Sequence, residues 1–199
     1  MDGLRSAIFL DRDGTLNVKQ PEHQYVTSVD AFVWLPGARE ALARLARCGF
    51  VLTVVSNQRG VERGLVSLET LGGIEERIQH DLRPYGCAIT AFRYCIHAGD
   101  TCDCRKPKPG MILELAETLG LDLASSWIIG DAVSDIRAGE AAGVSTALVG
   151  DASPQITADL RAPTLLAATD LLLARRPQLE GTGPANSATS SSYVRRKPS

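Results

Sequence analysis

From Ser6 to about Gly150, short apolar runs rich in β-branched residues alternate with stretches whose apolar residues recur at helical period. No other feature narrows the possible folds as much. Strands joined through helices rather than tight turns cross over and run parallel, with helices covering both faces of the sheet. The strand candidates are Ala7-Ile8-Phe9-Leu10, Phe50 to Val55, Ile89 to Tyr94, Trp127-Ile128-Ile129 and Val144 to Val149. Between the first two, Ala38, Ala41, Leu42, Leu45 and Cys48 fall on one helical face, with Arg39, Glu40, Arg44 and Arg47 on the others. Pro36 suits the first turn of that helix and Gly49 its end. Further helices are expected from Ser67 to about Leu82, from Pro109 to Gly120, from Ser134 to Ala142 closed by Gly143, and from Leu165 to Arg175. Gly72-Gly73 weakens the second helix by roughly 1 kcal/mol per glycine. Residues 1–176 thus read as one α/β domain. Residues 177–199, dominated by Gly, Pro, Ser and Thr, read as a disordered tail.

Twenty-one basic residues against twenty-three acidic ones, a net charge of −2, give no electrostatic case for a nucleic-acid partner. No apolar run approaches the roughly 20 residues of a membrane span, and Met1-Asp2-Gly3-Leu4-Arg5-Ser6 lacks the basic flank and apolar stretch of a secretory signal. The expectation is a cytoplasmic monomer without membrane or nucleic-acid partners. A chain of 199 residues buries roughly 70% of its unfolded surface in a single core, so neither disulfides nor a metal are needed merely to hold it together. Its five cysteines require another explanation.

In an open parallel sheet, ligands bind beyond the carboxyl ends of the strands. After the first run comes Asp11-Arg12-Asp13-Gly14-Thr15; after the second, Ser56-Asn57-Gln58; after the fourth, Gly130-Asp131, with Asp135 further on. Carboxylates gathered at one sheet edge repel one another and need a cation. Oxygen donors of this kind suit Mg²⁺, with waters and a substrate phosphate completing its octahedron. With the metal bound, one aspartate can stay ionised as a nucleophile while another holds a proton for a leaving group. Asp135 is equally suited to cap or orient the helix that follows.

Cys95-Ile96-His97 and Cys102-Asp103-Cys104 supply three thiols and an imidazole, enough for a closed tetrahedral Zn²⁺ site in a loop spanning 95–109. Such a site would be structural, since four protein ligands leave no open position. The loop continues into Arg105-Lys106-Pro107-Lys108-Pro109-Gly110, whose prolines fix the backbone that aims Arg105 and Lys106. Cys48 and Cys87 stand beside apolar residues and read as buried, inert thiols. His23 and His80 lie on no metal-like spacing and read as surface or polar-network residues, with substrate contact the alternative for His23.

Asp11-Arg12-Asp13-Gly14-Thr15-Leu16-Asn17 resembles the first motif of the haloacid dehalogenase (HAD) superfamily of phosphatases. Ser56 resembles its second motif, Lys106 its third, and Gly130-Asp131 through Asp135 its fourth. The likeness implies a HAD-like three-layer fold with a mostly parallel sheet. It also implies that Asp11 attacks phosphorus to form an aspartyl-phosphate while Asp13 protonates the leaving oxygen and then activates water. Ser56 and Lys106 would hold the phosphoryl group. Asp11, Asp131 and the backbone carbonyl of Asp13 would hold Mg²⁺, with Asp135 behind them. The cysteine loop in place of a large cap is similar to that of the D-glycero-D-manno-heptose 1,7-bisphosphate 7-phosphatases and their histidinol-phosphate phosphatase relatives. Ser56-Asn57-Gln58-Arg59-Gly60 through Arg63-Gly64, and Gln24-Tyr25-Val26, resemble the heptose branch. This implies substrate contacts by Asn57, Gln58 and Tyr25, and a small phosphorylated metabolite as substrate; Arg105, aimed by its loop, is expected to meet a second anionic part of it, and Arg59 lies where substrate would touch the protein. Two departures stand out: Lys19-Gln20-Pro21-Glu22-His23 is longer and differently charged than that branch's segment, and Arg59 replaces a small residue. A zinc-loop binding module without turnover is the reading from another class. The competent residues at every chemical position speak against it.

Overall fold

The computed structural model describes residues 4–22, 24–99, 101–150 and 156–175. His23 and the expected tail at 177–199 lie outside the described residues. Strands β1 (Ala7–Leu10), β2 (Val51–Asn57), β3 (Ala91–Cys95), β4 (Trp127–Gly130), β5 (Ser145–Val149) and β6 (Leu160–Ala162) alternate with helices α1 (Ala38–Arg47), α2 (Leu68–Leu82), α3 (Gly110–Leu119), α4 (Val133–Ala142) and α5 (Leu165–Arg175). All neighbouring strand pairs are parallel, in the order β3-β2-β1-β4-β5-β6. Among the described residues there is no separate cap domain, and no helix is long and apolar enough to cross a membrane.

The central strand shows why both faces are covered. Ile8 and Leu10 of β1 pack with Leu42, Leu45, Ile74, Ile78 and Leu172 beneath α1, α2 and α5. Ala7 and Phe9, pointing the other way, pack with Met111, Ile112, Leu115 and Ala138 beneath α3 and α4. A strand apolar at every position is what burial on two faces demands. The chain runs outward from β1 to β3 and then returns on the other side of β1 with β4. The carboxyl ends of β1 and β4 therefore lie side by side at a topological switch point, where open α/β sheets bind ligands.

Several boundaries differ from the sequence expectations. β2 continues through Ser56 and Asn57, because Tyr94 and Cys95 of β3 pair with them. Pro36 lies before α1, with Gly37 as the N-cap residue. β6, three residues long, is too short to produce a periodic signal. Gly73 sits inside α2 because a side chain there would collide with Val29, so the helix keeps the weak residue to let the 24–35 segment pack. Cys48 is exposed rather than buried, since it caps α1 beyond the helix's apolar face. Cys87 is half-buried against the core, and burial pushes its thiol up.

That 24–35 segment is fastened to α2 by Trp34, whose Nε1 donates to Asp81 Oδ2 at 2.9 Å. The same oxygen accepts from Arg77 Nε at 2.7 Å. Burial would raise the Asp81 carboxyl, but the Arg77, Trp34 and His80 donors outweigh it and hold Asp81 at about 2. A depressed carboxylate stabilises the fold above its unfolded pKa and loses that contribution as pH falls through the folded value. Asp81→Ala should cost about 1–3 kcal/mol in urea unfolding at neutral pH. The gap from the parent chain should narrow as pH falls from about 4 towards 2; a gap constant over that range contradicts the assignment.

Candidate active site

The turn leaving β1 sets the first two carboxylates apart. Asp11 N donates to Ile129 O of β4 at 3.0 Å, which keeps Asp11 at the switch point. The chain then closes on itself, with Leu16 N donating to Arg12 O and Gly14 N to Asn17 O, both at 2.8 Å. Gly14 adopts φ +96°, and a Cβ there would run into the Asp131 carboxylate. Asp13 is turned away from Asp11 by its own partners. Arg12, 1% exposed, reaches it at 2.9 Å, Asn17 Nδ2 donates at 2.9 Å and Gln58 Nε2 at 2.8 Å. Burial pulls the Asp13 carboxyl upward, but the Arg12 charge and these donors bring it below its ordinary value.

Asp11 has the opposite environment. Its burial dominates and raises it, and Asp135 and Asp13 add to the rise, so that despite Lys106 it is pushed up to about 6. Lys106 Nζ lies 2.8 Å from Asp11 Oδ1 and 2.6 Å from Asp135 Oδ1, and donates to Val55 O at 2.7 Å. Burial opposes its charge, yet the two carboxylates hold Lys106 above the ordinary lysine value. Both oxygens of Asp135 are engaged, Oδ1 by Lys106 and Oδ2 by the Ala132 N–H at 3.0 Å. It therefore fixes Lys106 and the start of α4.

Asp11, Asp131 and Asp135 each bring a carboxylate oxygen within 4.8 Å of the others. Asp131 Oδ2 is 2.6 Å from Lys19 Nζ, while Oδ1 is buried without a hydrogen-bond partner. Burial raises Asp131, with Lys19 opposing. An acceptor oxygen left unpaired beside further carboxylates is the donor set that a hard divalent cation takes. These residues, with Ser56, Asn57 and Ser134, line a cleft of about 150 Å³. A wider groove of about 900 Å³ runs along α2 from Gly72 to Arg83, but none of the residues expected at the site line it.

The second cluster is equally compact. Cys95 Sγ is 3.6 Å from Cys102 Sγ and 3.7 Å from His97 Nδ1, and Cys104 Sγ is 3.3 Å from His97 Nδ1. Donors about 2.3 Å (sulfur) and 2.0 Å (nitrogen) from one tetrahedral ion lie ~3.5–3.8 Å apart, so the four residues surround a space of one ion's size. The loop beyond is pinned to β2, because Asn57 Nδ2 donates to Lys106 O (3.0 Å) and Asn57 Oδ1 accepts from Lys106 N (3.1 Å).

Not every expected contact lies in the cleft. Gln58 braces Arg12, Asp13 and Ser56. Arg105 Nη1 donates to His97 O at 2.8 Å, and Tyr25 OH accepts from Arg63 Nη1 at 3.2 Å. Arg59 lies in the turn after β2, where its carbonyl accepts from Arg63 N; Tyr25, Arg59 and Arg105 are not among the cleft's lining. Three contributors carried no role in the sequence reading: Arg12 and Asn17, which fix Asp13, and Lys19, visible only as an unexpected charge. An arginine between two aspartates was a signal for the first.

The HAD-hydrolase-like family model matches residues 103–174. A D-glycero-beta-D-manno-heptose-1,7-bisphosphate 7-phosphatase of Pseudomonas aeruginosa is 36% identical over 146 residues, covering 73% of this chain and 81% of that protein. The enzyme of the same name from Pasteurella multocida is 37% identical over 163 residues, covering 78% and 87%. Among solved structures, the D,D-heptose 1,7-bisphosphate phosphatase of B. bronchiseptica, complexed with magnesium and phosphate, superposes with a TM-score of 0.78 at 32% identity. It covers 86% of this chain and 99% of that one.

The closeness of Gly14 to Asp131 makes a sharp test of the cleft. Gly14→Ala should weaken Mg²⁺ and inorganic phosphate binding about tenfold or more in calorimetric titrations, with the circular dichroism spectrum retained. Unchanged affinities would place the binding site elsewhere.

Proposed function

The chain belongs to the HAD-superfamily phosphatases, within the heptose 1,7-bisphosphate 7-phosphatase family, and we propose that it hydrolyses the 7-phosphate of D-glycero-D-manno-heptose 1,7-bisphosphate through an aspartyl-phosphate. The observation that carries this reading is the pairing of Asp11, fixed by Lys106 at the base of the cleft, with Asp13 held apart by Arg12. One carboxylate is presented for attack and its neighbour is kept for protons.

Asp11 and Asp131, with the backbone carbonyl of Asp13, would hold Mg²⁺, whose charge would offset that of the phosphoryl oxygens. Asp11 attacks phosphorus, and Lys106 and Ser56 hold the oxygens whose negative charge the transition state spreads. Asp13 delivers a proton to the departing sugar oxygen. Arg12, Asn17 and Gln58 favour the ionised form of Asp13 in the resting site, so the arriving phosphoryl charge would raise its proton affinity until it takes up, from water or from the phosphate's own hydroxyl, the proton it passes on. In the second half Asp13 takes a proton from the water that attacks the aspartyl-phosphate, and Asp11 is regenerated.

The cysteine–histidine cluster is assigned to Zn²⁺ in a structural role, supported by four soft and borderline donors at tetrahedral spacing. Its ion would fix the loop that delivers Lys106. Cysteines gathered as metal ligands rather than as disulfides fit a reducing cytoplasm.

Phosphate release with Mg²⁺ should be greatest with heptose 1,7-bisphosphate, against histidinol phosphate and an aryl phosphate. Asp11→Asn should lower kcat about 10⁴-fold or more; equal rates for the three substrates, or an active Asp11→Asn protein, overturn the reading. Protein purified without chelator should contain about one zinc per chain, and Cys102→Ser should lose it and unfold at lower temperature. A zinc-free parent chain of undiminished stability removes that assignment.

A further inference from the structure

Lys19 belongs to the segment that departs from the family resemblance, and its ammonium nonetheless reaches the mouth of the carboxylate cleft. Nζ lies 2.6 Å from Asp131 Oδ2, the same carboxylate whose other oxygen is buried without a partner. The reach is set by the backbone just before it. Asn17 O accepts from Gly14 N, and Val18 N donates to Val33 O, both at 2.8 Å, so the chain is fastened on either side of the site up to residue 18. The Lys19 side chain is 55% exposed while Asp131 is 17% exposed. A flexible cation is therefore parked on a largely buried anion at the mouth of the cleft.

Charge decides what this arrangement does. Among the described residues, Asp11, Asp13, Asp131 and Asp135 meet two buried cations, Arg12 and Lys106, and the half-exposed Lys19 supplies a third positive charge. A divalent cation entering the cluster takes over the neutralisation of Asp131 and competes with Lys19 for Oδ2. A phosphoryl dianion entering afterwards brings back negative charge, and an ammonium freed at the rim is then attracted to it.

We infer that Lys19 is a displaceable counter-ion of this site: it occupies Asp131 while the metal is absent, restrains Mg²⁺ binding, and on release becomes a cationic contact for the anionic substrate. This rests on the proposed metal-dependent phosphatase reading and assigns to it a residue of the 19–23 segment. The two halves have opposite signs. Removing the charge should strengthen Mg²⁺ binding and weaken phosphate binding.

The test measures binding to the intact, resting protein and needs no turnover, so it is separable from the assay of activity. Calorimetry with Mg²⁺ alone should show Lys19→Met binding the ion about threefold tighter than the parent chain, the scale of a half-exposed ion pair. With Mg²⁺ saturating, inorganic phosphate should bind about fivefold more weakly to Lys19→Met, and Lys19→Arg should restore most of that loss. Equal thermal unfolding of the three proteins checks that the fold is common to them. Weakening of both ligands, as a structural role predicts, or constancy of either one overturns the inference. Failure of the parent chain to release phosphate from any substrate would instead fall on the proposed function, leaving these affinities as they stand.

Discussion

One buried ammonium joins the parts of the centre. Lys106 Nζ, 2% exposed, meets Asp11 after β1, Val55 within β2 and Asp135 in α4. Carboxylates gathered this closely cannot all stay ionised without a cation among them. Removing one partner of such a buried pair leaves an uncompensated charge and costs about 3–5 kcal/mol. The lysine comes from a loop rather than from the sheet, so its placement depends on what fixes the loop. Asn57 clamps Lys106 through both its backbone N–H and its carbonyl. The cysteine–histidine cluster gathers the residues before it. The spacing of those four side chains thus bears on phosphoryl chemistry without touching it.

Asp11 and Asp13 are two residues apart and have opposite acid–base character. Asp11 is raised by burial and by like charges, and Lys106 only limits the rise. Asp13 is lowered by Arg12 and by two amide donors. The difference arises from the turn at Gly14, which separates the side chains, and from Arg12, whose guanidinium is buried beneath Asp13 rather than projecting into water. Identical side chains acquire separate roles when their surroundings displace their proton affinities in opposite directions. In this chain the resting displacement, Asp11 up and Asp13 down, runs against the proposed roles, so a cation at Asp11 and the phosphoryl charge beside Asp13 would have to reverse it.

The sheet, its parallel sense and the convergence of Asp11, Ser56 and Asp131 were legible in the sequence because each leaves a local trace, an apolar run and then a polar residue at its carboxyl end; Lys106, in a loop, was legible through the family resemblance and the prolines beside it. β6 was not legible, since three residues carry no period. The extension of β2 through Ser56 and Asn57 depends on pairing with β3, a partner about 40 residues away that local pattern does not reveal. Cys48 continues the apolar stripe of α1 in sequence but falls after the helix has ended, which exposes it. The Arg12–Asp13–Gln58 network and the Lys19–Asp131 pair are tertiary; Asp13, Gln58 and Asp131 had chemical or substrate roles in the sequence reading, whereas Arg12 and Lys19 stood there only as charges of unexplained purpose.

Without a cap domain among the described residues, the walls above the carboxylates are loops, and their mutual fastening determines how the cleft is used. Tyr25 accepts from Arg63, joining the segment before α1 to the turn after β2. That turn is joined in its own right to the cysteine loop, through Glu62 and the Ala98 N–H and through Glu62 N and Ile96 O. These contacts join the three loops to one another. Charged side chains at the rim of these joined loops are placed to act on the part of a substrate that projects outward. A substrate with a second anionic group at some distance from the reacting phosphate offers such a rim something to hold. A neutral remainder does not.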